Sequence, residues 1–351
     1  MKAIVRTAAG TGGSRLQLQE LAEPRPAAQE IVIRLAAASI NPIDALIREG
    51  YGDSLFKWLR AKGPMVMGLD GAGVVSAVGS AVRDFQPGDR VMAATMPFAS
   101  GFYAEAVAVK AAWACKIPPG LGMAEAAALP YAGLTAAQVL RAAGLDAGNT
   151  AGKKVLVHGG SGGIGSLLVQ RLHQGGAWVA STCGGSNLEF VRGLGADQVI
   201  DYRKQDFTRL LSGLDLVINT VAPDPSARSL DEAPHLSVLK AGGVYASLIS
   251  PTLTLTDVLG APLGVVASGT WMGLAKLRWA LAGKQHHWVY FRPSGARLVE
   301  LARWALEGSY RPVIGRRYPL ADAAAALAAV EQGPARGKVL LCIDESLLEA
   351  A

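Results

Sequence analysis

The stretch Gly160-Ser161-Gly162-Gly163-Ile164-Gly165 constrains this chain more than any other. It follows directly on the β-branched run Lys154-Val155-Leu156-Val157-His158 and opens an amphipathic run from Ile164 to His173. Glycines at a strand-to-helix turn let the backbone approach a ligand closely, and the helix N-terminus offers unpaired N–H groups and the positive end of a dipole. In that setting G-x-G-x-x-G predicts a dinucleotide pyrophosphate site, although the same six letters alone would carry little. A glycine-rich turn with no ligand is the alternative.

The neighbouring sequence agrees with a nucleotide-binding sheet. Runs at Trp178–Thr182, Gln198–Ile200, Leu214–Asn219 and Gly243–Leu248 alternate with helical stretches, which predicts an α/β, doubly wound parallel sheet. The first third reads differently. Short β runs (Ile31–Ile33, Gly71–Val75, Arg90–Ala93) are punctuated by Pro24, Pro26, Pro42, Pro64, Pro87 and Pro118, as in a mainly β domain. Near the end the sequence predicts a helix over Arg297–Glu307, a strand containing Pro312, a helix over Ala321–Gln332 and a closing strand Lys338–Cys342. With 351 residues, two domains are expected.

Composition narrows the classes further. Half the residues are hydrophobic and 18% are charged, enough to bury large cores. The net charge of +6 is scattered, so no nucleic-acid partner is expected. Cys115, Cys183 and Cys342 have neither disulfide nor zinc-knot spacing, and a cytoplasmic location fits that usage. Met1 leads straight into a strand-like run, and no targeting leader is expected. The uncharged segment Val258–Ala275 is interrupted by Gly260, Pro262, Gly264, Gly269 and Gly273; it is expected to be buried or pocket-lining, without an integral membrane span.

NAD sites carry an acid at the end of the second strand, about 20 residues past the glycines. Here Thr182 is followed by Cys183-Gly184-Gly185-Ser186-Asn187, with no acid before Glu189. A carboxylate there would repel a 2′-phosphate, so its absence permits NADPH.

Several further segments, in order, carry a resemblance over nearly the whole chain. They are Ser39-Ile40-Asn41-Pro42-Ile43-Asp44, Gly68–Val75, Phe85–Val91, Ala128–Ala136, Gly193–Asp197 and Gly337-Lys338-Val339. On these the chain resembles the medium-chain dehydrogenase/reductase superfamily, in its zinc-independent quinone oxidoreductase group. Within it the chain is most similar to the mitochondrial reticulon-interacting branch, on Asn41–Tyr51 with a longer loop to Gly63, on Val199–Tyr202, and on His287–Gly295. The resemblance implies a GroES-like β domain over 1–125, completed by about 292–351, and a Rossmann domain over 126–291. Zinc-dependent relatives place a Cys near Asn41 and a His-Glu pair near Leu69-Asp70. Neither position holds Cys or His here, so no metal site is expected.

The resemblance also implies roles. Tyr202 would reach the 2′-phosphate, or be a plain rim residue; the related Lys position falls near Asn187, so Ser186, Asn187 and Gly184 beside Thr182 would share the grip. Thr135 would start a helix under the nicotinamide, or act as an N-cap. Thr220-Val221 and Leu248-Ile249 follow strand ends, where ligands bind in open sheets. Tyr290, Phe291 and Lys338 are counted with the cofactor contacts, and Tyr131 and Trp271 with Tyr290 and Phe291 suggest an aromatic acceptor pocket walled by 251–291. Asn41 could bond a ribose or a carbonyl, or simply form a turn. Asp44 could orient polar groups or cap a helix, and Tyr51 could donate to an oxyanion or pack in its loop. His286-His287 is read as surface or interdomain structure, since adjacent residues rarely face one ligand.

The chemistry implied is direct hydride transfer from NADPH to an apolar, conjugated carbonyl compound, a quinone or enone, whose conjugation spreads the developing charge. No Ser-x-x-x-Tyr-x-x-x-Lys relay is visible for simple alcohols. A NADPH-binding protein with a structural or interaction role would show the same motif. A homodimer is left open.

Overall fold

The computed structural model describes residues 1–7, 16–59, 64–145, 149–221, 232–333 and 336–349. Part of the loop to Gly63 therefore lies outside the described residues. The chain divides into two compact units, Met1–Leu134 with Arg292–Ala351, and Thr135–Phe291. The first division falls after Leu134, later than the sequence boundary at 125. The reason is that the helix Met123–Ala128 packs on the strands Glu30–Ile40 and Asp70–Val78 of the first unit.

The second unit is built on a six-stranded parallel sheet in the order Gln198–Asp201, Trp178–Cys183, Lys154–His158, Leu214–Asn219, Leu239–Ser247, Gln285–Trp288. Its central strands are almost continuously buried, as strands covered on both faces must be: Val155, Leu156 and Val157 have no exposed surface, nor do Val217 and Ile218. Register aligns Thr182, Asn219 and His158 at one edge. Strand order reverses beside Lys154–His158, and the glycine loop leaves the sheet at that switch point.

In the first unit the sheet runs Ile314–Pro319, Lys338–Cys342, Glu30–Ile40, Asp70–Val78, Arg90–Ala94, Ala114–Lys116, with Ala106–Lys110 also pairing Glu30–Ile40. A smaller sheet joins Leu16–Glu20, Lys2–Arg6 and Met65–Val66. The closing strand lies antiparallel to Glu30–Ile40, with Val339 opposite Ile40. That pairing brings Lys338 to Asn41 across almost the whole chain.

Several expectations change. The strand near Pro312 begins only at Ile314, consistent with proline's missing N–H, and the last long helix begins at Ala323 after a single turn over Leu320–Asp322. Thr135 is buried inside the helix Pro130–Ala142, neither starting nor capping it, because Pro130 takes the first position. His286 is not surface structure: it sits in the edge strand Gln285–Trp288 and packs buried against Tyr245, Trp279 and Trp288. The 258–275 segment is buried at Ala261, Gly264 and Ser268 and lines a pocket through Trp271, Leu274 and Ala275, but much of it is exposed. It belongs to the helices Thr252–Leu259 and Ala261–Leu281, whose close approach at Gly264 leaves a Cβ there 2.3 Å from Thr256 Cα, while Leu263, Val266 and Leu274 face outward. Among the described residues no helix is long and apolar enough to cross a membrane.

Candidate functional site

The glycine loop of the second unit is shaped by what cannot be there. A Cβ on Gly160 would lie 2.0 Å from Ser181 Oγ, and one on Gly165 would lie 2.1 Å from the Gly159 carbonyl oxygen. Gly159 takes φ +77° and, with Gly160, donates its backbone N–H to the Thr182 carbonyl at 3.0 and 3.1 Å. Gly162 caps the helix Gly163–Gln174 in extended conformation without a side-chain cap bond. The first-turn N–H groups, from Gly163, Ile164 and Gly165, thus lack intrahelical partners beside Ser161. A backbone cradle with donors and a helix N-terminus fits a pyrophosphate.

Beyond the loop lies an open pocket of about 510 Å³ lined by His158, Thr182, Tyr202, Arg203, Lys204, Gln205, Asp206 and Phe207. Tyr202 is 58% exposed, with the Arg203 guanidinium 5.7 Å from its ring centroid. A Cβ on Gly184 would sit 4.0 Å from the Tyr202 ring, so that loop faces Tyr202 across free space. Ser186 is exposed but Asn187 is buried, which leaves its amide little surface for an incoming phosphate. Asp201 is buried and accepts the Arg203 backbone N–H at 3.1 Å. Asp206 is engaged by Thr208. The sequence reading missed Arg203 and Lys204; their place directly after Tyr202 was the available signal.

Thr182 is committed beneath the loop, its hydroxyl 3.0 Å from His158 Nδ1. His158 Nε2 lies 3.2 Å from His235 Nε2, and burial together with the His235 ring pushes the His158 pKa down to about 3. It is neutral, so one imidazole of the pair donates and the other accepts. The Thr220 hydroxyl donates to the His158 carbonyl at 2.7 Å. Leu248 and Ile249 follow their strand end, with Leu248 N–H donating to Asn219 O at 3.1 Å and Ile249 N–H to Ser247 Oγ at 3.1 Å. Val221 is exposed beside Gly159. Tyr290 sits with its hydroxyl 3.0 Å from Thr252 Oγ1 and 3.3 Å from Met272 Sδ, followed by half-buried Phe291. Trp271 meets Trp288 at 5.8 Å between centroids.

The first unit gathers a buried polar cluster. Ser39 Oγ and Asn41 Nδ2 both donate to Asp70 Oδ1, and the Tyr131 backbone N–H donates to Asp70 Oδ2 at 2.8 Å. Lys338 Nζ donates to Asn41 Oδ1 and to the Ile40 carbonyl. Asn41 thus links an ammonium to a carboxylate and caps the helix Pro42–Arg48, where Asp44 accepts its backbone N–H at 2.8 Å. The same oxygen, Asp44 Oδ2, accepts from Tyr103 Oη at 2.8 Å, while Oδ1 is buried with no partner. Tyr51 is half-buried in the turn beyond that helix, between Gly50 and Gly52 at positive φ. Lys338 is buried in this cluster of the first unit.

Burial raises the Asp44 pKa from its ordinary 3.8 to about 7, against the lowering effect of the Tyr103 and Asn41 bonds. Burial also holds the Lys338 ammonium below its ordinary range, opposed by Asp70 and Asp44. With Asp44 protonated, its proton belongs on Oδ1, since Oδ2 already accepts twice. A carboxyl that keeps its proton more tightly when folded loses stability as pH rises from about 4 to about 7 and no further beyond. Asp44→Asn, which mimics the neutral form, is therefore expected to gain stability relative to wild type across that window and to hold a constant difference above it. Paired urea melts between pH 4 and 9 check this; a difference independent of pH would refute it.

At the positions where zinc-dependent relatives carry ligands, Asp70 already accepts three hydrogen bonds and Asn41 faces an ammonium. Among the described residues, no group of three or more His, Cys, Asp or Glu is arranged to hold a metal ion.

An open parallel sheet with a glycine cradle at its switch point, and a β unit closed by the chain's last strand, define the architecture of a dinucleotide-dependent dehydrogenase or reductase. Residues 27–119 match the alcohol dehydrogenase GroES-like domain and 194–341 the zinc-binding dehydrogenase family. The chain is 35% identical over 325 residues to the mitochondrial NAD(P)H oxidoreductase RTN4IP1 of Mus musculus, covering 89% of this chain and 81% of that one. It is 33% identical to the chloroplast envelope quinone oxidoreductase homolog of Arabidopsis thaliana, over 97% and 98% of the two chains. The quinone oxidoreductase of Coxiella burnetii superposes with a TM-score of 0.81 at 29% identity, covering 98% and 99%. That of Escherichia coli, solved with NADPH, gives 0.74 at 25%, covering 97% and 99%. The chain belongs to the medium-chain dehydrogenase/reductase superfamily, in its quinone oxidoreductase group.

Proposed function

We propose that this protein is an NADPH-dependent reductase of quinones or conjugated enones that works without zinc. The observation that carries the reading is the pocket walled by Tyr202, Arg203 and Lys204, facing a Cys183–Asn187 loop that has no acid. Two cations and a phenol suit a 2′-phosphate, and a hydroxyl pair does not need them. The NADPH held by the similar Escherichia coli enzyme supports the same choice.

Bound NADPH supplies the hydride. The chain's part is to hold and align. Gly160 to Gly165 seat the pyrophosphate through backbone N–H groups, Tyr202, Arg203 and Ser186 hold the 2′-phosphate, and Thr135, Thr220, Val221, Leu248, Ile249, Tyr290 and Phe291 are assigned to the nicotinamide side. Tyr51 and the remaining Asn41 N–H are assigned to the acceptor oxygen as donors, where a developing negative charge is stabilised. Asp44 is assigned the positioning of Asn41, through the backbone bond they share.

Rates of NADPH and NADH oxidation against quinones, enones, aldehydes and secondary alcohols test this reading. Quinones or enones are expected to be reduced with NADPH favoured by about tenfold, equivalent to about 1.4 kcal/mol. Gly184→Asp, whose side chain would point toward Tyr202, is expected to move that preference toward NADH. Cofactor binding with no turnover of any acceptor would instead identify a binding protein, and robust alcohol oxidation without quinone or enone reduction would overturn the acceptor class.

A further inference from the structure

The helix Ala261–Leu281 is apolar on two opposite faces. Ala261, Gly264, Ser268 and Trp279 are buried against the second unit. Leu263, Val266, Leu274, Leu277 and Leu281 recur at helical spacing on the other side and are 56 to 81% exposed, and Val258 of the preceding helix is exposed as well. A helix that is apolar all round is ordinarily covered all round, by protein or by lipid.

Charge indicates what covers this one. From Ala233 to Phe291 the only acid is Asp257, against Lys240, Lys276, Arg278 and Lys284, of which Lys240 is paired with Asp215 at 2.6 Å. At about 100° per residue, Lys276 and Arg278 fall on opposite flanks of the leucine stripe. Both are exposed, and long aliphatic stems let such side chains lie along an apolar surface while the charge reaches outward. An apolar stripe with basic flanks is complementary to an anionic bilayer surface. A second copy is a poorer partner, because a two-fold contact would set these cations against their own counterparts. The nearby acids among the described residues are Asp257 and the mostly buried Glu232, which lines a pocket with Leu274 and Arg278.

We propose that the helix Ala261–Leu281 lies in the plane of an anionic membrane surface, with the stripe sunk into the boundary between headgroups and acyl chains. The helix is about 31 Å long and lies on the bilayer; it does not span it. The proposal stands apart from the identity of the acceptor.

Full-length protein sedimented with vesicles of phosphatidylcholine, alone or mixed with phosphatidylglycerol, tests it. Wild type is expected to pellet with the mixed vesicles, less so as salt rises. Leu263→Glu with Leu281→Glu is expected to lower partitioning by about tenfold or more. Lys276→Gln with Arg278→Gln should remove the preference for anionic vesicles. Near-ultraviolet circular dichroism confirms that each variant folds. Wild type that stays in the supernatant, or a double glutamate variant that pellets equally, overturns the proposal. So does sedimentation equilibrium showing a wild-type dimer that the glutamates convert to monomer, which would assign the stripe to a second copy.

Discussion

Lys338→Met is expected to cost about 3 to 5 kcal/mol of folding stability, the penalty for removing one partner of buried opposite charges, here an ammonium joined to the Asp70 carboxylate through Asn41. Lys338 has 3% of its surface exposed, and its ammonium spans Asn41 Oδ1 and the Ile40 carbonyl. Methionine fills nearly the same space, so packing is largely kept. What is lost is the only cation among Asp70, Asp44, Ser39, Asn41, Tyr103 and Tyr131. Asp44 can absorb the change by keeping its proton, but Asp70 has committed both oxygens to donors. Adding Asp70→Asn to Lys338→Met should then recover part of the loss, a non-additivity that a double-mutant cycle reads directly. Urea midpoints for the four proteins measure it. A Lys338→Met variant within about 1 kcal/mol of wild type would show that the cluster does not need its ammonium.

Gly165→Ala is expected to weaken NADPH binding by roughly 5- to 150-fold, from the 1 to 3 kcal/mol that overpacking costs. Its Cβ would meet the Gly159 carbonyl oxygen at 2.1 Å and Gly160 Cα at 2.9 Å. Both are backbone atoms of the cradle, so the clash is relieved only by moving the helix Gly163–Gln174 away from the loop. That displaces the N–H groups proposed to seat the pyrophosphate. Gly193→Ala is the control, since a Cβ there meets nothing within 4 Å. Titration of intrinsic fluorescence with NADPH gives the affinities; unchanged binding by Gly165→Ala would detach the loop from the cofactor.

Much of the fold was legible because its signals are local. Lys154–His158, the glycines and the following helix are contiguous, and a strand-to-helix turn constrains itself. Arg203 and Lys204 were passed over for a different reason. Charged residues after a strand are usually solvated, and only the turn held by Asp201, with the Arg203 guanidinium beside the Tyr202 ring, shows them lining one pocket. The burial of Asn187 was equally illegible, because a polar residue in a suitable loop gives no indication of how far its side chain is covered.

From the amino acids alone came the nucleotide-binding sheet, the mainly β first third and the missing acid after Thr182, all set by spacing within a few turns of chain. Tertiary structure decided the rest. Lys338 meets Asn41 across 297 residues only because the last strand pairs with Glu30–Ile40, and that meeting places a residue grouped with the cofactor in a buried polar cluster. Periodicity likewise leaves Ala261–Leu281 apolar on two opposite faces without saying which is covered. Coverage depends on what packs against the helix, and the second unit packs against one face, leaving Leu263 and Leu281 outside.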